Sequence, residues 1–136
     1  MLSTILTCGY SYHAQPFQNS HKEGVPSYLF RLQTEGASQA LVRGTLHTLE
    51  QGDLLLIQPG DPYELRVEEH WNKLNQTVVS SGDYYIFCKG DWLDAWWRKG
   101  KKPQKVRIAA YERLLTLWRQ IILEKRRFEE ENKELS

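Results

Sequence analysis

The chain has almost no charge of either sign to spare: eighteen Lys and Arg stand against seventeen Asp and Glu, a formal net charge of +1. That balance leaves no electrostatic footprint for nucleic acid, whose recognition needs a strongly basic face. Long apolar runs are also missing. Nowhere do ~18 apolar residues follow one another, so no membrane-spanning helix is expected. The start at Met1 lacks the basic region and apolar core of a signal peptide. Only two cysteines occur, Cys8 and Cys88, far apart and each within an apolar stretch. They are expected to be buried free thiols in a reducing compartment rather than a disulfide. No internal repeat or low-complexity tract interrupts the 136 residues. The expectation is one cytoplasmic domain, long enough to bury roughly 68% of its unfolded surface around a single core.

What is present is organised around Gly52 to Tyr63. Gly52-Asp53 is turn chemistry, a residue free to take φ > 0 followed by one that caps its own backbone. Leu54 to Ile57 is an apolar run too short for a helix and suited to a strand buried on both faces. Pro59-Gly60-Asp61-Pro62 ends it, because proline has no N–H for a ladder. Together these predict a corner of a small β-barrel with Tyr63 at its mouth, where barrels keep ligand pockets. Other runs read as strands separated by turns: Leu2 to Tyr12, Tyr28 to Thr34, Ala40 to Arg43, Leu46 to Leu49, Tyr63 to Val67, a weaker one over Leu74 to Ser80, and Tyr84 to Cys88. His13 to Pro26 reads as irregular. In Tyr28 to Thr34, Tyr28, Phe30 and Leu32 share one face and the polar Arg31 and Gln33 the other, solvated or lining a cavity.

After Gly90 the pattern changes. Asp91 can N-cap a short helix carrying Trp92, Leu93, Trp96 and Trp97, residues expected to seat it on the sheet rather than to cage a ligand. Lys99, Lys101 and Lys102 read as a solvated linker rather than a phosphate site. From Gln104 the period is helical, with Leu114, Leu117 and Ile121 beside Leu115, Trp118 and Ile122, and no Gly or Pro breaks it through Ser136. Beyond Leu123 it is almost wholly charged. The apolar stripe is wide enough for one side to meet the sheet and another a second helix.

The spacing of Gly52, Gln58-Pro59-Gly60 and Tyr63 resembles the second motif of the cupin superfamily. Tyr63 stands where that motif has a metal-binding His, and Leu29 stands where the first motif has a Glu. With those ligands replaced, no metal site is expected, and His13, His21, His47 and His70 read as surface or pocket residues. More closely, the chain resembles the N-terminal effector-binding domain of AraC-type transcription regulators. The likeness rests on Cys8-Gly9-Tyr10-Ser11-Tyr12-His13, Glu35-Gly36, Gly52 to Gly60, Asp83 to Phe87, and Gly90 to Trp97. It implies a mainly-β fold: a cupin-type double-stranded β-helix, or jelly-roll barrel, over residues 1–100 with an N-terminal arm. A short helix and a long C-terminal linker and dimerisation helix, residues 104–136, would follow.

The resemblance further implies a small polar effector, a sugar or related metabolite, held by His13, Arg31, Gln33, Glu35, Tyr63, Asp83 and Tyr85. Arg31, Gln33 and Glu35 could equally face solvent. A homodimer through Leu114, Leu117, Trp118, Ile121 and Ile122 is implied as well, with no cofactor, no metal, no catalytic residue and no membrane contact. DNA would be reached only through a helix-turn-helix unit absent from these residues. The rival readings are a small stand-alone cupin enzyme, an isomerase or dioxygenase, and a structural dimer module with no ligand.

Overall fold

A computed structural model describes residues 3–135. The elements are β1 (Ser3–His13), β2 (Phe17–His21), β3 (Tyr28–Gly36), β4 (Ser38–Val42), β5 (Thr45–Leu49), β6 (Asp53–Ile57), β7 (Tyr63–Val67), β8 (His70–Trp71), β9 (Thr77–Val78), β10 (Ser81–Gly90), α1 (Asp91–Arg98), β11 (Lys105–Arg107) and α2 (Glu112–Leu135). One sheet runs β1-β10-β3-β6-β11 and a second β2-β7-β4-β5, while β8 and β9 pair by themselves.

Among the described residues neither large sheet closes. β1 and β11 are free edges of the first, β2 and β5 of the second. The mainly-β composition and the two helices agree with expectation, but the cupin-type double-stranded β-helix, the jelly-roll barrel, does not. A barrel needs ladder hydrogen bonds across every seam, and these two sheets share no strand pairing. The fold is an open sandwich. Its β11 edge is three residues long and carries Lys105 and Arg107, charges that discourage further pairing.

The five-stranded sheet is covered on both faces, which explains the unbroken apolar run of β6. Leu55 and Ile57 are fully buried against the second sheet with Leu29, Ala40, Leu49 and Leu65. On the opposite face Leu54 joins Phe30, Leu32 and Ile86 beneath Trp118 and Ile122 of α2, and Tyr28 and Cys88 pack under Leu93 of α1. Tyr28, Phe30 and Leu32 therefore lie under the helices, while Arg31 and Gln33 point between the sheets. Both cysteines are free thiols, Cys88 buried and Cys8 half-buried.

Residues 104–111 are not helical. Lys105, Val106 and Arg107 pair with Leu55, Leu54 and Asp53. Two cations hold this strand to the fully buried Asp53: Arg107 Nε donates to Oδ1 at 3.1 Å, and Lys105 Nζ lies 3.9 Å from Oδ2. The helix begins only at Glu112, and Ser136 lies outside the described residues. β2, within the segment expected to be irregular, is exposed at every position and so shows no alternating apolar pattern. The strand expected over Leu74 to Ser80 is only the two residues Thr77 and Val78, paired with Trp71 and His70. Asp91 is the first residue of α1, and Gly90, at φ 153°, takes the N-cap.

Candidate functional site

Strand alternation turns Arg31 and Gln33 of β3, Ser81, Asp83 and Tyr85 of β10, and Ser11 and His13 of β1 toward the second sheet. The register sets Asp83 opposite Gln33 and Ser11, Tyr85 opposite Arg31 and Gly9, and Ser81 opposite His13. From the facing sheet come Tyr63 and Ser38, both buried. A polar group thus sits inside an otherwise apolar interior, where each member must find partners or carry a desolvation penalty.

One part of the group is closed on itself. Ser38 Oγ donates to Gln33 Oε1 at 2.8 Å, and Gln33 Nε2 donates to Ser81 Oγ at 2.9 Å and to the Glu35 carbonyl at 2.8 Å. Gln33 ties the two sheets together, and its amide is occupied within the protein.

The other part leaves polar atoms unpaired. Arg31 donates to Asp83 Oδ1 at 2.5 Å, with both side chains at least nine-tenths buried, and the guanidinium carbon stands 5.3 Å from the Tyr85 ring centroid. Yet Arg31 Nε, Asp83 Oδ2 and the Tyr63 hydroxyl find no hydrogen-bond partner among the described residues. Burial pushes the Asp83 carboxyl above its ordinary range, outweighing the pull of Arg31 and, more weakly, of His13. Burial likewise raises the Tyr63 phenol, against the charge of Arg31, so it stays protonated. The site offers a donor, an acceptor and a hydroxyl that can be either, around an ion pair whose charges cancel.

Gly9 matters because it has no side chain. A Cβ there would lie 3.0 Å from the Tyr85 hydroxyl, so glycine lets that ring cross beneath β1. His13 is half-buried at the rim, with its Nε2 3.1 Å from Ser11 Oγ and its ring stacked 4.1 Å from Phe17 at the start of β2.

Glu35 is not brought to this group. The register shifts between Gly82 and Asp83, which makes Thr34 an extra residue in β3 and turns Glu35 to the outer surface, where it accepts from the Tyr10 hydroxyl at 3.1 Å. Among the residues expected at a dimer seam, Trp118 and Ile122 are packed against Leu32 and are not presented to another subunit. Trp118 Nε1 also donates to the Tyr85 carbonyl at 3.1 Å. Leu114, Leu117 and Ile121 line a groove beside α1. Ser11, Ser38 and Ser81 escaped sequence reasoning. Only Ser11 carried a signal, its alternation with Tyr10 and Tyr12 on the strand ending at His13.

Among the described residues, no group of three or more His, Cys, Asp or Glu is placed to hold a metal ion, and Leu29, at the cupin Glu position, is a core residue. No helix among them is long and apolar enough to cross a membrane. No curated protein matches the chain. The profile of the AraC-like ligand binding domain does match, over residues 7–135, a span running from β1 to the end of α2. The chain belongs to the AraC-like ligand binding domain family.

Proposed function

We propose that the chain senses a small, uncharged, hydroxyl-rich molecule of the carbohydrate class, held between the sheets by Arg31, Tyr63, Asp83 and Tyr85. The observation that carries this reading is the trio of buried, unpartnered atoms on Arg31, Tyr63 and Asp83. Each such group costs about 1–3 kcal/mol while its hydrogen bond is unmade. Neighbouring hydroxyls, each both donor and acceptor, satisfy all three. A carboxylate ligand would meet Asp83, and an amine would meet Arg31. The Tyr85 face supplies the aromatic surface on which an apolar patch of a sugar rests. His13, at the rim, borders the entrance.

In this reading α2 reports occupancy, because Trp118 holds the outer side of the strand whose Tyr85 faces the guest. The guest shifts the population between two placements of the helix by its differential affinity for them. The distal half of α2 then joins a second copy of the chain. With a DNA-binding unit on the same polypeptide, transcription would follow the guest.

The test is a thermal-shift screen of the purified chain against monosaccharides, disaccharides and polyols. One compound should raise Tm by several degrees, and Tyr63→Phe, which deletes a single oxygen, should abolish the gain. The reading fails if no compound stabilises the chain, or if one does so equally in Tyr63→Phe and Arg31→Gln.

A further inference from the structure

On the far side of the five-stranded sheet from the polar group, a groove of about 340 Å³ runs between α1 and α2. Phe30 and Ile86 form part of its floor, Trp92 and Trp96 of α1 one wall, and Leu117 and Ile121 of α2 the other. Every lining residue is apolar. Trp92 is 55% exposed and Leu117 57% exposed, so water faces two large apolar side chains on opposite walls. The volume is that of a small-molecule site.

Charge identifies the occupant. The Lys102 ammonium stands 4.7 Å over the ring centroid of Trp96, a wall residue, while donating to the Gly100 carbonyl at 3.2 Å. Lys102 ends the run Arg98-Lys99-Gly100-Lys101-Lys102, four cations in five residues at the end of α1. Among the described residues none of the four takes part in an ion pair. An apolar trough with the unneutralised Lys102 against one wall, and three more cations next to it in the chain, complements a molecule with an apolar body and one negative end.

We infer that this groove is a second ligand site, separate from the polar one, for a small amphipathic carboxylate such as a medium-chain fatty acid. The apolar body lies between the tryptophans and Leu117, and the carboxylate meets Lys101 and Lys102.

Anilinonaphthalene sulfonate, an apolar fluorophore with one anionic group, serves as the probe on the full chain. Its emission should rise saturably with one site per chain, and free decanoate should displace it. Leu117→Asp and Trp92→Ser, both at exposed positions on opposite walls, should each weaken binding by about tenfold. Lys101→Glu with Lys102→Glu should weaken it and remove most of its salt dependence. Tyr63→Phe should leave it unchanged, which separates this site from the one between the sheets. Equal affinity in Leu117→Asp and the parent chain would overturn the assignment. So would binding to anionic lipid vesicles that free decanoate does not compete for, or a dimer that excludes the probe and dissociates in Leu117→Asp.

Discussion

Removing the Asp83 carboxylate would leave the Arg31 guanidinium charged, buried and unpaired. Breaking a buried pair from one side costs about 3–5 kcal/mol, so Asp83→Ala should lower the urea midpoint sharply, while Arg31→Met with Asp83→Leu should recover most of the loss. A shift in Asp83→Ala no larger than that of a surface substitution would show that the pair is not held as described. The sign of the pH effect follows from burial. The folded state binds the Asp83 proton more tightly than the unfolded chain, whose carboxyl keeps its ordinary value of 3.8. Asp83's contribution to stability is therefore fully present below that value and lost as pH rises through the raised folded value. Asp83→Asn should flatten that part of the stability profile. The inward placement of Arg31 was legible from strand alternation, and that of Tyr63, Asp83 and Tyr85 from the family likeness; that they hold a ligand is a proposal. The outward turn of Glu35 was not legible, because a period of two cannot foresee a one-residue bulge. The closure of Gln33 by Ser38 and Ser81 was hidden too, since it depends on how strands from two sheets and the turn at Glu35 meet.

Among the elements, α2 has two halves of different character. Its first half is fixed to the sheet by Trp118 and Ile122. In its second, Lys125-Arg126-Arg127 and Glu129-Glu130-Glu131 flank Phe128, which is 59% exposed. An antiparallel copy centred on Phe128 would bring this basic run alongside the partner's acidic run. The intrahelical pairs of the half-buried Lys125 with Glu129 at 3.4 Å and of the exposed Arg127 with Glu124 at 3.3 Å are weak competitors. If the proposed dimer forms through this segment, reversing all three cations to Glu, or all three Glu to Lys, should each yield monomer by sedimentation velocity at low salt, and mixing the two variants should restore a dimer. Two monomeric variants that ignore one another would remove this seam. The wide apolar stripe announced α2 in the sequence but not its start. The preceding residues fit a helical period, yet the buried Asp53 draws Lys105 and Arg107 into a strand, a tertiary attraction that periodicity does not carry.

For the molecule as a whole, the five-stranded sheet has the buried polar group on one face and the helices with their groove on the other. Trp118 is the fastening between that sheet and α2. Trp118→Ala should cost about 3–5 kcal/mol and raise amide hydrogen exchange along α2 ahead of the strands. Trp118→Phe, which keeps the ring and loses the bond to the Tyr85 carbonyl, should cost only about 1 kcal/mol. Exchange that rises uniformly in Trp118→Ala would mean the helix and sheets open as one unit. Strand positions were largely readable from turns and alternation. Closure was not, since a seam exists only if distant strands pair, and nothing in the local pattern of β1, β2, β5 or β11 says whether they do.

That unclosed seam bears on how the proposed guest would enter. A sealed barrel can admit a molecule through its wall only by rupturing main-chain bonds. Here β1 and β2 belong to different sheets, and among the described residues no backbone hydrogen bond joins them. The stacked rings of His13 and Phe17 lie where one strand gives way to the other. Side chains alone hold the two strands together there, so parting them for the proposed guest would leave every ladder intact.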